Sequence, residues 1–235
     1  MPAESKERRI GTREIVGALA TFLLIPLVPL LAAGDWGWAQ GWLYAFITIG
    51  MSILSRVLVY KKAPDLIKER STYTSAEGVK SWDKKLVPWI AIYLPLVTLI
   101  VAGLNERFGW PPEVPLWLAW AALVVILLGY SFGIWAMLSN PFFSAVVRIQ
   151  TDRGHVTVDS GPYRYVRHPG YISGIFTWLA IPLLLGSFWA LIPAIVACAL
   201  TVLRTKLEDQ TLIEELAGYR EYTQRTHYRL LPGVW

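Results

Sequence analysis

Long uncharged apolar runs alternate along this chain with short turns and with two larger polar loops. Ile15 to Ala33 carries no charge and is long enough to predict a membrane-spanning helix, bent at Pro26 and Pro29. Gly34–Asp35–Trp36–Gly37–Trp38 predicts a short turn with tryptophans at the membrane border, and a second span runs from Gln40 to Tyr60. The polar stretch Lys61 to Lys85 separates it from a third span, Leu86 to Leu104, and a loop with a Trp-Pro-Pro break leads to a fourth, Leu116 to Leu138. Ser139 to Pro169 is the second large polar loop. Ile172 to Leu203 is uncharged and too long for one helix, and Pro182, Gly186 and Pro193 interrupt it, so it predicts a tight helical hairpin turning near Leu185 to Ser187. The tail from Arg204 begins as a polar helix. The expected fold is all-α: a multi-pass transmembrane helical bundle of four spans plus a C-terminal hairpin, ending in a cytoplasmic helix.

Composition agrees. Of 235 residues, 54% are hydrophobic and only 17% are charged, where soluble domains carry about a quarter. The net charge of +5 matters through its placement. Lys and Arg gather before the first span, in the 61–85 and 139–169 loops and in the tail, which predicts that these segments and both termini face the cytoplasm. The expected location is a plasma membrane, of bacterial type. The single cysteine, Cys198, supports neither a disulfide framework nor a thiolate metal site, and reads as a small buried hydrophobe. Three scattered histidines without carboxylates at ligand spacing predict no metal site. His155 reads as a structural or solvated histidine in a turn, and His227 as interfacial. The 12 tryptophans sit mostly near span ends, as an aromatic belt requires, and call for no nucleic-acid partner. Gly17, Gly129 and Gly133 are candidates for close helix contact, the last two as G-x-x-x-G.

The candidate chemistry lies at one border. Ser160 to Tyr171, SGPYRYVRHPGY, packs Arg164, Arg167 and His168 among Tyr163, Tyr165 and Tyr171 just before the hairpin. Such a cluster is either an interfacial anchor or a functional site, and by itself it decides neither. In the tail, Arg204 and Glu208 are four residues apart and share a helix face. Alone this is the pattern of a solvated helix. Because a hairpin brings its two outer ends to one membrane face, however, Arg167, His168 and Tyr171 are expected beside Arg204 and Glu208.

The pattern G-P-Y-x-Y-V-R-H-P-x-Y, an apolar hairpin, then R-x-x-x-E-[ED] and Y-x-x-Y, resembles the isoprenylcysteine carboxyl methyltransferase family over Gly161 to Trp235. The resemblance implies S-adenosylmethionine as methyl donor and a lipophilic acceptor that arrives laterally from the bilayer. It implies that Tyr163, Arg167, His168, Pro169, Tyr171, Gly174 and Glu208 bind the cofactor, and that Arg204, with Glu208, serves the acceptor. It also divides the chain into anchoring helices (1–140) and a catalytic region (141–235). Asp209 stands where many relatives have a second Glu, and the tail reads E-L-A-G-Y-R-E-Y, so the acceptor is less defined than the cofactor. A carboxylate or thiol acceptor, a phospholipid amine, a sterol-reductase-like enzyme using NADPH, and a non-catalytic scaffold stay open. A transporter is disfavoured because the spans carry almost no ionisable residues.

Overall fold

The computed structural model describes residues 23–71 and 76–235; the first part of the first expected span (15–22), including Gly17, lies outside them. The described residues form eight helices: α1 (Val28–Ala33), preceded by a 3-10 turn over Ile25–Leu27; α2 (Ala39–Lys62); α3 (Pro64–Ser71); α4 (Ser81–Phe108); α5 (Leu116–Ser139); α6 (Pro169–Leu184); α7 (Leu191–Glu215); and α8 (Tyr219–Arg225). Among these residues there is no strand, only an isolated bridge between Glu113 and Ser187. The all-helical membrane fold is therefore as expected.

Three helices, α2, α4 and α5, are long and apolar enough to cross a membrane, and α6 is a shorter apolar helix. The second, third and fourth expected spans correspond to them within a few residues, except that α4 starts earlier. Its first two turns, Ser81–Pro88, are polar, and it continues through a π turn over Trp89–Tyr93. Pro88, which has no N–H to donate, sits where that irregular turn begins. The hairpin is also as expected: α6 and α7 are joined by a turn at Leu185 to Ala190, in which Gly186 takes φ +73°. The second arm and the tail helix prove to be one uninterrupted helix, α7.

Hydrogen bonds show which ends lie together. At one end, Trp189 Nε1 donates to Pro111 O (2.8 Å) and Ser187 Oγ to Asn105 Oδ1 (2.9 Å), so the α6–α7 turn meets the α4–α5 loop. At the other, Lys80 N donates to Val147 O (3.1 Å), joining the start of α4 to the loop after α5. Between the ends, Leu30, Leu99, Ile126, Ile181 and Leu184 form a closed apolar core. Phe46, Trp117 and Leu128 are among many large apolar side chains left exposed on the outside, a surface suited to lipid rather than water.

Helix α6 is seated on α5 by small residues. A Cβ at Gly129 would fall 2.2 Å from Thr177 Oγ1, and one at Gly133 2.4 Å from Ser173 Oγ. The G-x-x-x-G of α5 thus faces Ser173 and Thr177 of α6, and Ser173 Oγ donates to Gly129 O (2.8 Å). This contact fixes where α6 begins, and with it the position of the Arg167–His168–Pro169 segment.

Candidate active site

Pro169 occupies the first turn of α6, where its fixed φ and missing N–H cost nothing, and His168 caps the helix from outside. The backbone of Arg167 and His168 is gripped from the C-terminus: Arg167 N donates to Tyr228 O (2.9 Å) and His168 N to Arg229 O (3.0 Å). Helix α7 passes alongside and presents Arg204 and, one turn further on, Glu208 and Asp209. The loop between α5 and α6 closes the third side with Phe142, Phe143, Val146 and Val147. These parts enclose a cavity of about 860 Å³, counted with its open mouth.

Tyr163, Arg167, His168, Tyr171, Arg204 and Glu208 all line this cavity. The hairpin brings them together as the sequence implies. Pro169 and Gly174 do not line it; Pro169 sets the helix start, and a Cβ at Gly174 would meet nothing within 4 Å. Gly170 does line it, with Phe143 so close that a Cβ there would approach its ring to 2.8 Å.

The side chains divide by how much bonding capacity they retain. Arg167 is largely committed. Its Nε and Nη2 donate to the two oxygens of Asp209 (2.8 and 2.9 Å), and its Nη1 donates to Thr226 O and His227 O (both 2.9 Å). Asp209 is fully buried and also accepts from Arg229 Nε (2.7 Å) and Tyr219 Oη (3.0 Å), with His168 Nε2 at 3.1 Å. Burial alone would raise its pKa; the hydrogen bonds from His168, Arg167 and Arg229 outweigh this and hold the carboxyl well below its usual range. Asp209 therefore joins α6, α7, α8 and the C-terminal tail.

Glu208, Arg204 and His168 keep capacity in reserve. Glu208 Oε2 accepts the Tyr171 hydroxyl, and its Oε1 has no partner among the described residues. Arg204 does not pair with Glu208, the partner that a solvated-helix pattern would give it. Its Nε and Nη2 donate to Asp83 (2.7 and 3.1 Å), Nη2 also donates to Ala145 O (3.0 Å), and the guanidinium carbon lies 5.4 Å from the Tyr171 ring centre. Nη1 of Arg204 and Nδ1 of His168 have no acceptor or donor among the described residues. The His168 and Tyr171 rings are stacked at 5.8 Å. One carboxylate oxygen, one guanidinium end, one imidazole nitrogen and aromatic faces thus remain to meet a ligand. Among the described residues no group of three or more His, Cys, Asp or Glu side chains could hold a metal.

Three participants escaped sequence reasoning: Asp83, Asp209 as a hub, and Arg229. Asp83 lies 121 positions before Arg204, amid the lysines of the first polar loop, and no spacing rule connects them. Its one visible signal is that of an acid in the first turn of an amphipathic helix, which ordinarily means only favourable helix electrostatics.

His155 also lines the cavity, though it reads as structural in the sequence and is held structurally here. Its Nδ1 accepts from Gln150 N (3.3 Å), and its ring lies 4.5 Å from that of Phe142. Burial first, then the nearby Arg148 and Arg153 guanidinium groups, lower its pKa to about 4. The folded loop therefore binds neutral His155, whereas the unfolded chain takes up a proton near its ordinary 6.5. The contribution is full above that value and is lost as pH falls toward about 4. Hydrogen exchange across residues 146–156, corrected for intrinsic rates, is expected to be faster at pH 5 than at pH 7, and His155→Gln should abolish the difference. Equal protection at both pH values in the unaltered protein would contradict this.

Residues 120–214 match the sequence model of the isoprenylcysteine carboxyl methyltransferase (ICMT) family, a segment running from α5 through the cavity-lining loop to the end of α7. No curated protein matches the chain.

Proposed function

We propose that this protein is a membrane methyltransferase of the ICMT type, which uses S-adenosylmethionine to methylate a lipophilic or small carboxylate that reaches the cavity from the bilayer on the cytoplasmic side. The observation that carries the reading is the set of unspent groups at the Tyr171–Arg204–Glu208 corner of the cavity. ICMT family enzymes generally use this cofactor, and the residues here suit its groups. The open oxygen of Glu208 can accept an ammonium, His168 Nδ1 is placed for a polar contact, and the stacked His168 and Tyr171 rings offer faces to a sulfonium. Held there by Glu208, His168 and Tyr171, the cofactor would supply an electrophilic methyl group for transfer to the acceptor oxygen, with its sulfur as the leaving group.

The protein's own part is placement. A carboxylate is already ionised at neutral pH and needs no base, so holding it in line and keeping water out suffices. Arg204 Nη1 is the donor available to orient it. Arg167, though it lines the cavity, acts through Asp209 and the tail by fixing His168. In this reading residues 141–235 carry the reaction and residues 1–140 anchor it, with the basic loops and both termini cytoplasmic.

A second reading within the same chemistry draws on one observation: Asp83 occupies the fork of Arg204, while Glu208 keeps a free oxygen. That arrangement suits a phospholipid headgroup amine, with Glu208 accepting the proton that an amine must lose.

Isothermal titration of the detergent-purified protein with S-adenosylhomocysteine tests the cofactor. Micromolar binding is expected, and His168→Ala and Glu208→Ala should each weaken it at least tenfold, the order of one to two kcal/mol per lost contact (about 1.4 kcal/mol per factor of ten). No binding, with retention of NADPH instead, would replace this reading by a reductase. Silence with both ligands would favour a scaffold.

A further inference from the structure

Asp83 is a carboxylate of the N-terminal half that reaches Arg204 at the cavity wall, and it lies outside the 120–214 segment that matches the family. Its side chain is fully buried, and each of its oxygens is engaged. Oδ1 accepts from Arg204 Nε (2.7 Å); Oδ2 accepts from Arg204 Nη2 (3.1 Å) and from Val147 N (2.7 Å). Val147 belongs to the loop wall of the cavity, and the adjacent Lys80 N binds Val147 O, so this wall is tied to α4 from both sides.

The consequence for Arg204 is geometric. A planar guanidinium gripped along its Nε–Nη2 edge has only one orientation left, and its remaining end, Nη1, is the part left for a ligand. Ala145 O takes a second Nη2 hydrogen and reinforces the same pose. The pair also neutralises the guanidinium, so the cavity corner offers a directed donor without a net positive charge. An unpaired Arg204 would instead be free to fold onto Glu208, four residues along the same face of α7.

Resting on the methyltransferase reading, we infer that Asp83 is a positioning residue: it holds Arg204 with Nη1 presented to the methyl acceptor, and it locks the Val147 wall to that donor. The acceptor subsite is then a single-ended contact with Arg204, not a two-pronged clamp, and it depends on a residue that the family segment does not contain.

The test combines kinetics with a signature of Arg204 itself. Methyl transfer from labelled S-adenosylmethionine is measured with an S-prenylated cysteine carboxylate and with phosphatidylethanolamine vesicles, and the acceptor that is methylated is carried forward. Asp83→Asn is expected to raise KM for that acceptor about tenfold or more, while affinity for S-adenosylhomocysteine stays within about twofold. Added to Arg204→Ala, it should cost nothing further, because residues acting as one unit are not additive. Wild-type KM in Asp83→Asn, or effects that multiply, would overturn the inference. A readout that needs no acceptor runs beside it: in protein labelled with ¹⁵N-arginine, the Arg204 Nε–H resonance, identified by its loss in Arg204→Ala, should move in Asp83→Asn. The Arg167 resonance should stay in place, which also reports that the fold is intact. An unmoved Arg204 resonance would sink the positioning role whether or not either acceptor is methylated. If Asp83→Asn fails to fold, the charge-preserving Asp83→Glu serves, with the same outcomes. A wild-type protein that ignores S-adenosylhomocysteine would instead remove the methyltransferase reading and leave the Arg204 resonance to be judged separately.

Discussion

Asp209→Ala is expected to be the most destabilising single substitution at the polar end of the molecule, by about 3–5 kcal/mol, the usual cost of breaking a buried ion pair from one side. The carboxylate is fully buried and takes both prongs of Arg167, the Nε of Arg229 and the Tyr219 hydroxyl. Removing it leaves the buried guanidinium of Arg167 with only the Thr226 and His227 carbonyls, and frees the tail that grips His168. Thermal unfolding in detergent should show a clear fall in Tm, accompanied by loss of S-adenosylhomocysteine binding. An unchanged Tm would mean that the hub is dispensable. Acid should mimic the substitution. Asp209 is held below its ordinary 3.8, so its contribution is present above that range and is lost as pH drops through it toward the folded value. Asp209→Asn should therefore flatten the acid limb of the stability curve as well as lower its plateau.

Arg204→Ala is expected to reduce kcat/KM for the acceptor by about a hundredfold or more while leaving S-adenosylhomocysteine affinity within about threefold. The substitution removes the one guanidinium end left for an acceptor carboxylate, whereas the groups assigned to the cofactor, Glu208 and His168, stay. Arg204→Lys should rescue little. A point charge cannot hold Asp83 along two edges, reach Ala145 O and still present a donor. Because Asp83 becomes unpaired, Tm of Arg204→Ala has to be followed alongside turnover. Intact turnover in Arg204→Ala, with turnover abolished in Glu208→Ala, would reverse the roles. Glu208 would then be the base for an amine acceptor, and Arg204 a structural counter-ion for Asp83.

The sequence determined the class of molecule and the neighbourhood of its chemistry. Uncharged runs of bilayer length dictate helices, because a backbone in lipid must satisfy its own hydrogen bonds, and the helices α2, α4 and α5 lie where those runs do. The turn at Leu185 to Ala190 follows from Gly186 and the length of the apolar block, and it alone is enough to bring His168 and Tyr171 to Arg204 and Glu208. The glycine pair 129 and 133 marked the surface on which α6 packs. All of these are local signals: periodicity, length, or a missing side chain.

Only the tertiary structure decided how the polar groups pair. Arg167 reads in sequence as a ligand-binding cation and is instead turned onto Asp209, while Asp209 reads as a shortened copy of a second glutamate and is the hub. Arg204 shares a helix face with Glu208 one turn away, yet its hydrogen bonds go to Asp83, 121 positions earlier. Helical spacing says which side chains are within reach, but a charge surrounded by several acceptors takes the pairing with the best hydrogen-bond geometry and the least residual desolvation. That choice depends on how α4, α6, α7 and the tail are packed, and sequence spacing carries no information about it.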